Sequence, residues 1–354
     1  MKILLVANGI SRAGTSRVLS LLSQAWSQQH EVSISLFRPY SHAYSLGGKV
    51  IQNGIPLKGC VLSQVYHLYR LLKQTHYDKV FGFSEDANYP LAIAAKWAGV
   101  SHRVVLTVHN PVQKFSAKVK KRVQKHYSSV HCVLGVSQGV AKGLVELGVP
   151  AEKVVFRPNP IDLEMVWRAV NQPPERILEP NSVLHFISVG RLHSHKGFDV
   201  LIEAFYQVYK AVPKVKLWIV GEGGQKEALH RQIEALGLES SVMLTGSVQN
   251  PYALLNQADI FVLSSRLEGW PLVLMEAMAV GLPCIAFTCP NGPDEIIQND
   301  SMGLLVPCME VDKLAQEMIR LAKDSDLRTK LGKKGQERMK KFEVDKISLE
   351  WLSV

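Results

Sequence analysis

No stretch of the chain approaches the ~20 consecutive apolar residues that a bilayer-spanning helix requires, so a helical membrane span is not expected. The run Ile3-Leu-Leu-Val-Ala7 is too short for a signal-peptide core and reads as a first buried strand. Cysteine is sparse. Cys60, Cys132, Cys284, Cys289 and Cys308 are scattered and form no CxxC pair, which gives neither a zinc site nor a disulfide frame and fits a reducing cytoplasm. The GxGxxG fingerprint of dinucleotide binding is missing, and there are no repeats or low-complexity tracts. Asn299-Asp-Ser301 has the form of a glycosylation acceptor, but a cytoplasmic chain does not meet that machinery. Acidic residues are scarce in the first part: residues 1–160 hold 6 Asp+Glu against 20 Lys+Arg, net +14, whereas the remainder holds 25 against 21, net −4. An asymmetry of this size points the first part towards something anionic, a membrane surface or a nucleic acid.

What is present is a repeated alternation of short apolar runs and amphipathic segments. At 354 residues, the length prior of roughly 150 residues per domain gives about two domains. In the first, residues 2–7, 31–36, 79–83, 103–108 and 130–134 read as strands, with helices such as Arg17–Gln29 and Val61–Thr75 between them. Pro158-Asn-Pro-Ile-Asp162 breaks the pattern, which sets the expected domains at 1–160 and 161–354. The alternation restarts with strands at 183–189, 216–220, 242–244, 260–263 and 284–287. The expected class is α/β, two doubly wound Rossmann-like domains. Residues 326–354 read as mainly helical.

The most informative stretch is Glu268-Gly-Trp-Pro-Leu-Val-Leu-Met-Glu276. The run Ile260–Ser264 has the composition of a buried strand and Arg266–Trp270 that of a loop. Pro271 suits the first turn of a helix that Gly281 and Pro283 close. One carboxylate therefore falls in the loop and one inside the helix. Between them lie the first N–H groups of the helix, where unpaired donors and the helix dipole favour a phosphate. Carboxylates on both sides of an anion site suit a ligand with hydroxyls on both sides of its phosphates, as a ribose-diphosphate-sugar has. A second signal is Ser188-Val-Gly-Arg-Leu-His-Ser-His-Lys-Gly197, which places Arg191 and Lys196 on a loop at the end of a strand. That is where parallel sheets bind ligands, and the two cations make a clamp for a diphosphate. The same residues also read as a solvated helix face and ordinary loop cations.

Taken in order, Gly190-Arg-Leu with Lys196-Gly197, Leu217-Trp-Ile-Val-Gly-Glu-Gly223, Leu244-Thr-Gly246 with Asn250-Pro-Tyr252, Ala258-Asp-Ile-Phe-Val-Leu-Ser-Ser265 and the Glu268/Glu276 pair resemble the retaining family 4 glycosyltransferases. The likeness covers residues 183–308 closely and the amino-terminal half more loosely. Asn250-Pro-Tyr252 and Cys289-Pro-Asn-Gly-Pro-Asp-Glu-Ile-Ile297 look most like bacterial enzymes that use UDP-hexoses or UDP-N-acetylhexosamines to build surface glycans on lipid carriers. The resemblance implies the GT-B architecture, with an interdomain cleft and a last helix that crosses back to the first domain. It implies that Glu276 binds the ribose hydroxyls, that Arg191 and Lys196 hold the diphosphate, and that Glu268 contacts the sugar. It further implies that the backbone of Gly269, Trp270, Pro271 and Leu272 lines the phosphate and sugar, Pro271 without an N–H, and that the base lies near Gly246 and Ser247.

In the first half the family's paired glycines are replaced by Ala13-Gly14, and Gly14 is expected to let the backbone approach the donor phosphates or the acceptor. His109, at the end of the 103–108 run, corresponds to a histidine that faces the donor sugar in the resembling enzymes; a histidine at a strand end also has a structural reading. Residues 111–127 read as a basic amphipathic helix, with Lys114, Lys118, Lys121, Arg122 and Lys125 in one stripe and Phe115, Val119 and Val123 beside it. The stripe suits an anionic leaflet or the phosphates of a lipid-linked acceptor, or is simply solvated. It lacks interleaved aromatics for base stacking, so nucleic acid is not an expected partner.

The expectation is a retaining hexosyltransferase that acts on a UDP-sugar and a lipid-linked or surface-glycan acceptor, at the cytoplasmic face of the cell membrane. No metal or cofactor is expected, because Arg191, Lys196 and a helix terminus supply the countercharge. Asp324-Ser-Asp326 reads as a helix start. The alternatives are a nucleotide-sugar epimerase of the same fold or a non-catalytic binding subunit.

Overall fold

The computed structural model describes residues 1–52, 60–175, 178 and 183–354. In chain order the strands are β1 (Lys2–Ala7), β2 (Glu31–Leu36), β3 (Lys49–Gln52), β4 (Lys79–Phe83), β5 (Val104–Val108), β6 (Cys132–Gly135), β7 (Val154–Phe156), β8 (Leu184–Val189), β9 (Val215–Val220), β10 (Val242–Gly246), β11 (Ile260–Leu263), β12 (Cys284–Phe287) and β13 (Leu304–Val306). The helices are α1 (Gly14–Ser27), α2 (Val61–Gln74), α3 (Glu85–Ala98), α4 (Ala117–His126), α5 (Gln138–Glu146), α6 (Leu163–Val170), α7 (Phe198–Ala211), α8 (Lys226–Ala235), α9 (Pro251–Leu255), α10 (Leu272–Val280), α11 (Pro293–Ile296), α12 (Val311–Lys323), α13 (Ser325–Met339) and α14 (Val344–Leu352).

Two compact units result, Met1–Pro160 with Phe342–Val354, and Ile161–Lys341. Each is built on a parallel sheet. The first has the order β3-β2-β1-β4-β5-β6-β7 and the second β10-β9-β8-β11-β12-β13. Central strands such as Ile3–Val6 and Ile260–Val262 are fully buried, because parallel sheets are covered on both faces and their strands read as continuous apolar runs. Strand order reverses between β1 and β4 in the first sheet and between β8 and β11 in the second. At such switch points a crevice opens beyond the carboxyl ends of the strands.

In the first unit, α14 closes the core. Trp351 is fully buried, stacks on Phe83 of β4 with ring centroids 6.2 Å apart, and donates its indole N–H to Pro158 O at 2.9 Å. Trp26 of α1 donates to Ser348 O at 3.0 Å. In the second unit, Asp324 caps α13 by accepting from Leu327 N at 2.8 Å, as the helix-start reading of Asp324-Ser-Asp326 has it. Helix α13 then braces α10, with Gln336 Nε2 donating to Ala279 O at 3.0 Å.

The basic helix is shorter than the sequence pattern suggests. Val112–Lys114 form a separate 3-10 turn, Ser116 caps α4 through Val119 N at 3.3 Å, and Lys114 therefore lies off the helix. A serine in extended conformation at the N-cap position stops the helix from running back to Pro111. Lys118, Lys121 and Lys125 are exposed, while Arg122 is half-buried with its guanidinium 4.0 Å from the centre of the Tyr89 ring. Among the described residues no helix is long and apolar enough to cross a membrane.

The contact of α13 with the end of α10 leaves no room for a side chain at Gly332, where an added Cβ would come within 2.1 Å of Gly281 O. Gly332→Ala is expected to lower the unfolding midpoint of the second unit, with a loss of about 1–3 kcal/mol, measurable by denaturant titration followed by a probe in that unit.

Candidate active site

The loops beyond β8 and β11, the strands at the switch point of the second sheet, are tied together by polar contacts. Arg191 is exposed on the first loop. Lys196 reaches across to Glu268, with Nζ to Oε1 at 2.6 Å, and both side chains are largely buried, 17% and 10% exposed. Asp199 and Arg266 form a second, bidentate bridge at 2.8 and 2.6 Å. Burial alone would raise the Asp199 carboxyl, but the hydrogen bonding and charge of Arg266, together with hydrogen bonds from the backbone, outweigh it and hold the group below the usual carboxylate range. The backbones meet as well: Arg266 N donates to His195 O at 2.8 Å and Ser264 Oγ to Lys196 O at 3.0 Å. The close approach explains Gly197, which has φ +66° and whose added Cβ would lie 2.0 Å from Ser264 O.

Helix α10 leaves this crevice with Pro271 at its N-cap, one residue before the helical position expected for it. The N–H groups of Leu272 and Val273 precede the first intrahelical bonds, which run from Leu274 N and Met275 N to Pro271 O. Gly269 lies between Glu268 and the cap. The indole of Trp270 is buried and donates to Met275 Sδ at 2.8 Å, so this side chain turns into the core. Glu276 sits one turn further along and accepts from the Tyr252 hydroxyl at 2.8 Å. Gly246 ends β10 with φ +77° and bridges Gly221, and Ser247 after it is exposed. Arg191, Lys196, Glu268 and Glu276 are thus all placed by one unit. Sequence reading missed Tyr252 and the Asp199–Arg266 bridge as site-building groups, because each pairs residues distant in sequence.

In the first unit, Gly14 is the first residue of α1, and a 310 Å³ cavity beside that helix end is lined by Asn8, Ser11, Thr15, Ser16, Arg38 and Ser84, among others. It lies beyond β1 and β4, the switch point of that sheet. Ser84 has φ +79°, a strained conformation for a residue other than glycine. His109 is buried between the rings of Phe83 and Trp351, at centroid distances of 5.8 and 6.2 Å. Its Nε2 lies 3.0 Å from Thr107 Oγ1, and that hydroxyl donates to Gly82 O at 2.7 Å. Thr107 has therefore spent its proton and accepts from His109 Nε2–H, which leaves Nδ1 as a bare acceptor, buried and without a partner among the described residues. Burial pushes the His109 pKa down to about 3, so the ring is neutral at pH 7 and accepts hydrogen bonds rather than shuttling protons. Among the described residues no group of three or more His, Cys, Asp or Glu is placed to hold a metal ion.

Two family models match the chain: "Glycosyltransferase Family 4" over residues 12–165 and "Glycosyl transferases group 1" over residues 174–338. A UDP-Gal:alpha-D-GlcNAc-diphosphoundecaprenol alpha-1,3-galactosyltransferase of Escherichia coli is 30% identical, covering 75% of this chain and 72% of its own. An alpha-1,4-N-acetyl-D-galactosaminyltransferase of Campylobacter jejuni, named for GalNAc-alpha-(1->4)-GalNAc-alpha-(1->3)-diNAcBac-PP-undecaprenol, is 27% identical over 100% of this chain and 98% of its own. Among solved structures, the Anabaena protein HepE, determined in complex with UDP, superposes with a TM-score of 0.82 at 20% identity, covering 100% of this chain and 99% of that one.

The buried neutral His109 gives the first unit a pH signature. Below about pH 6.5 the unfolded chain takes up a proton that the folded ring refuses, so stability falls as pH drops towards 3 and is unaffected above about pH 7. Chemical denaturation at a series of pH values should show wild-type stability falling between pH 5.5 and 4 more steeply than that of His109→Gln, by up to about 1.4 kcal/mol per pH unit. Equal slopes would mean that the ring charges in the folded state.

Proposed function

The chain belongs to the family 4 glycosyltransferases of GT-B fold, and from that footing we propose that it transfers a hexose or N-acetylhexosamine from a UDP-sugar, with retention, to a hydroxyl of a lipid-linked or surface-glycan acceptor. The observation that carries the reading is the pairing of Lys196 with Glu268 in the loops that precede α10, with Arg191 on the same loop as Lys196. In this reading Arg191 and Lys196 hold the diphosphate, Glu276 takes the ribose hydroxyls and Glu268 the sugar. The N–H groups of Gly269, Trp270 and Leu272 line the phosphate, and Gly246 and Ser247 border the base. In the first unit, His109 is assigned to the donor sugar, as the resemblance implies. The undecaprenol-linked substrates named for the two relatives support an acceptor of that kind, and the HepE complex supports UDP as the nucleotide.

Charge accumulates on the diphosphate as the bond from C1 to the phosphate oxygen breaks. Two cations and a helix terminus are placed to stabilise it with no metal required. The acceptor hydroxyl then attacks from the face the diphosphate leaves, and its proton passes to the departing phosphate oxygen. Glu268, held by Lys196 at 2.6 Å, is better suited to electrostatic support than to attack on C1. The exposed Lys118, Lys121 and Lys125 of α4 contribute about 1 kcal/mol each near an anionic leaflet, which supports peripheral attachment at the cytoplasmic face.

Thermal unfolding against a panel of nucleotides and nucleotide sugars should show stabilisation by one UDP-sugar, about 2.7 kcal/mol at a hundredfold excess over Kd, lost in Lys196→Ala. Transfer of that sugar to an undecaprenyl-diphosphate glycan, read by the anomeric proton coupling of the product, should show retention; an inverted product or a response to no nucleotide would sink the reading. Co-sedimentation with vesicles containing anionic lipid should fall at least tenfold when Lys118, Lys121 and Lys125 are changed to Glu, and unchanged binding would remove the membrane from the proposal.

A further inference from the structure

We propose that Tyr252 is a positioning residue that sets the Glu276 carboxylate for the donor ribose, an inference that rests on the assignment of Glu276 to the ribose hydroxyls. Glu276 is the one charged residue of α10, whose other residues are apolar. Its side chain has three rotatable bonds, and a carboxylate free to swing would bind a diol poorly. Tyr252 is nearly fully buried and donates its hydroxyl to Glu276 Oε1 at 2.8 Å. A carboxylate offers about four acceptor sites, so the phenol occupies one and fixes the plane in which the group meets hydroxyls.

The phenol is itself held on a stiff mount. Asn250 caps α9, accepting from Tyr252 N at 3.1 Å and Ala253 N at 3.4 Å, while Pro251 pre-sets the first helical φ. The Asn250 amide donates to Ala169 O at 2.7 Å, which anchors α9 to α6, and Glu175 Oε1 accepts from Asn250 N at 3.1 Å. Asn250-Pro-Tyr252 thus aims a hydroxyl at a carboxylate 24 residues further along the chain. A binding group placed to within about half an ångström needs such a supporting shell.

The experiment compares Kd values for UDP and for 2′,3′-dideoxy-UDP by calorimetry in wild type, Tyr252→Phe, Glu276→Ala and the double variant. Tyr252→Phe keeps the ring and should keep the unfolding midpoint. It is expected to weaken UDP about tenfold, the loss of one charge-assisted hydrogen bond, and to leave the dideoxy nucleotide within twofold. Glu276→Ala should reduce the preference for UDP at least as much, and the double variant should be no worse than Glu276→Ala alone. Equal weakening of both nucleotides by Tyr252→Phe, or of neither, overturns the positioning role while Glu276→Ala still collapses the preference. If Glu276→Ala also leaves the preference intact, or the wild type binds no UDP, the ribose assignment falls and the inference falls with it.

Discussion

The organisation of the second unit depends on one meeting of charges, Lys196 with Glu268, at the place where its sheet changes direction. Two partly buried ions cost several kcal/mol of desolvation each unless they are paired and further hydrogen-bonded, so this bridge adds little net stability. What it fixes is position. The loop beyond β8 and the loop beyond β11 are drawn together, with the Asp199–Arg266 bridge and the Ser264–Lys196 and Arg266–His195 bonds holding the register. Because Lys196 already serves Glu268, a diphosphate bound as proposed would share that ammonium with the carboxylate. The two are therefore electrostatically one group, and the charge of the crevice is set by Arg191 and the α10 terminus as much as by Lys196.

Helix α10 is the second dependent part. Apart from Glu276 it is apolar on every side, as suits a helix packed between a sheet and other helices. Its N-terminal end can be aimed only because the rest of it is immobilised. Met275, Ala277, Met278 and Ala279 are fully buried, and Gly332 lets α13 touch the backbone at its far end. Core packing here is a condition for the placement of the Leu272 N–H and the Glu276 carboxylate, so a packing defect at the far end of the helix would reach both groups.

Most of the central strands were legible because burial on both faces leaves an uninterrupted apolar run. The strands that sequence reading missed, β3, β7 and β13, are all at sheet edges. They are three or four residues long, and Val154–Phe156 is only half-buried, so they lack the contrast that marks a core strand. The positions of Arg191, Lys196 and Glu268 on loops beyond strands, and of Glu276 inside a helix, were legible from the local pattern. Their pairings were not. Lys196 with Glu268, Asp199 with Arg266 and Tyr252 with Glu276 join residues 72, 67 and 24 apart, and no local pattern reports such contacts. Lys114 was misplaced because its spacing fits a helix that the Ser116 cap prevents.

The burial of Trp351 between β4 and the 156–158 segment has a consequence for synthesis. The first unit emerges from the ribosome early but lacks the side chain that fills its core, while all of residues 161–341 must be made before α14 appears. At ~5–20 residues per second, that interval is roughly ten to forty seconds. During it, Phe83 and the face of α1 that carries Trp26 stay partly uncovered, and the second unit can finish folding ahead of the one that precedes it. The order of completion is thus the reverse of the order of translation, and the interval is the period in which the nascent chain most needs protection from association.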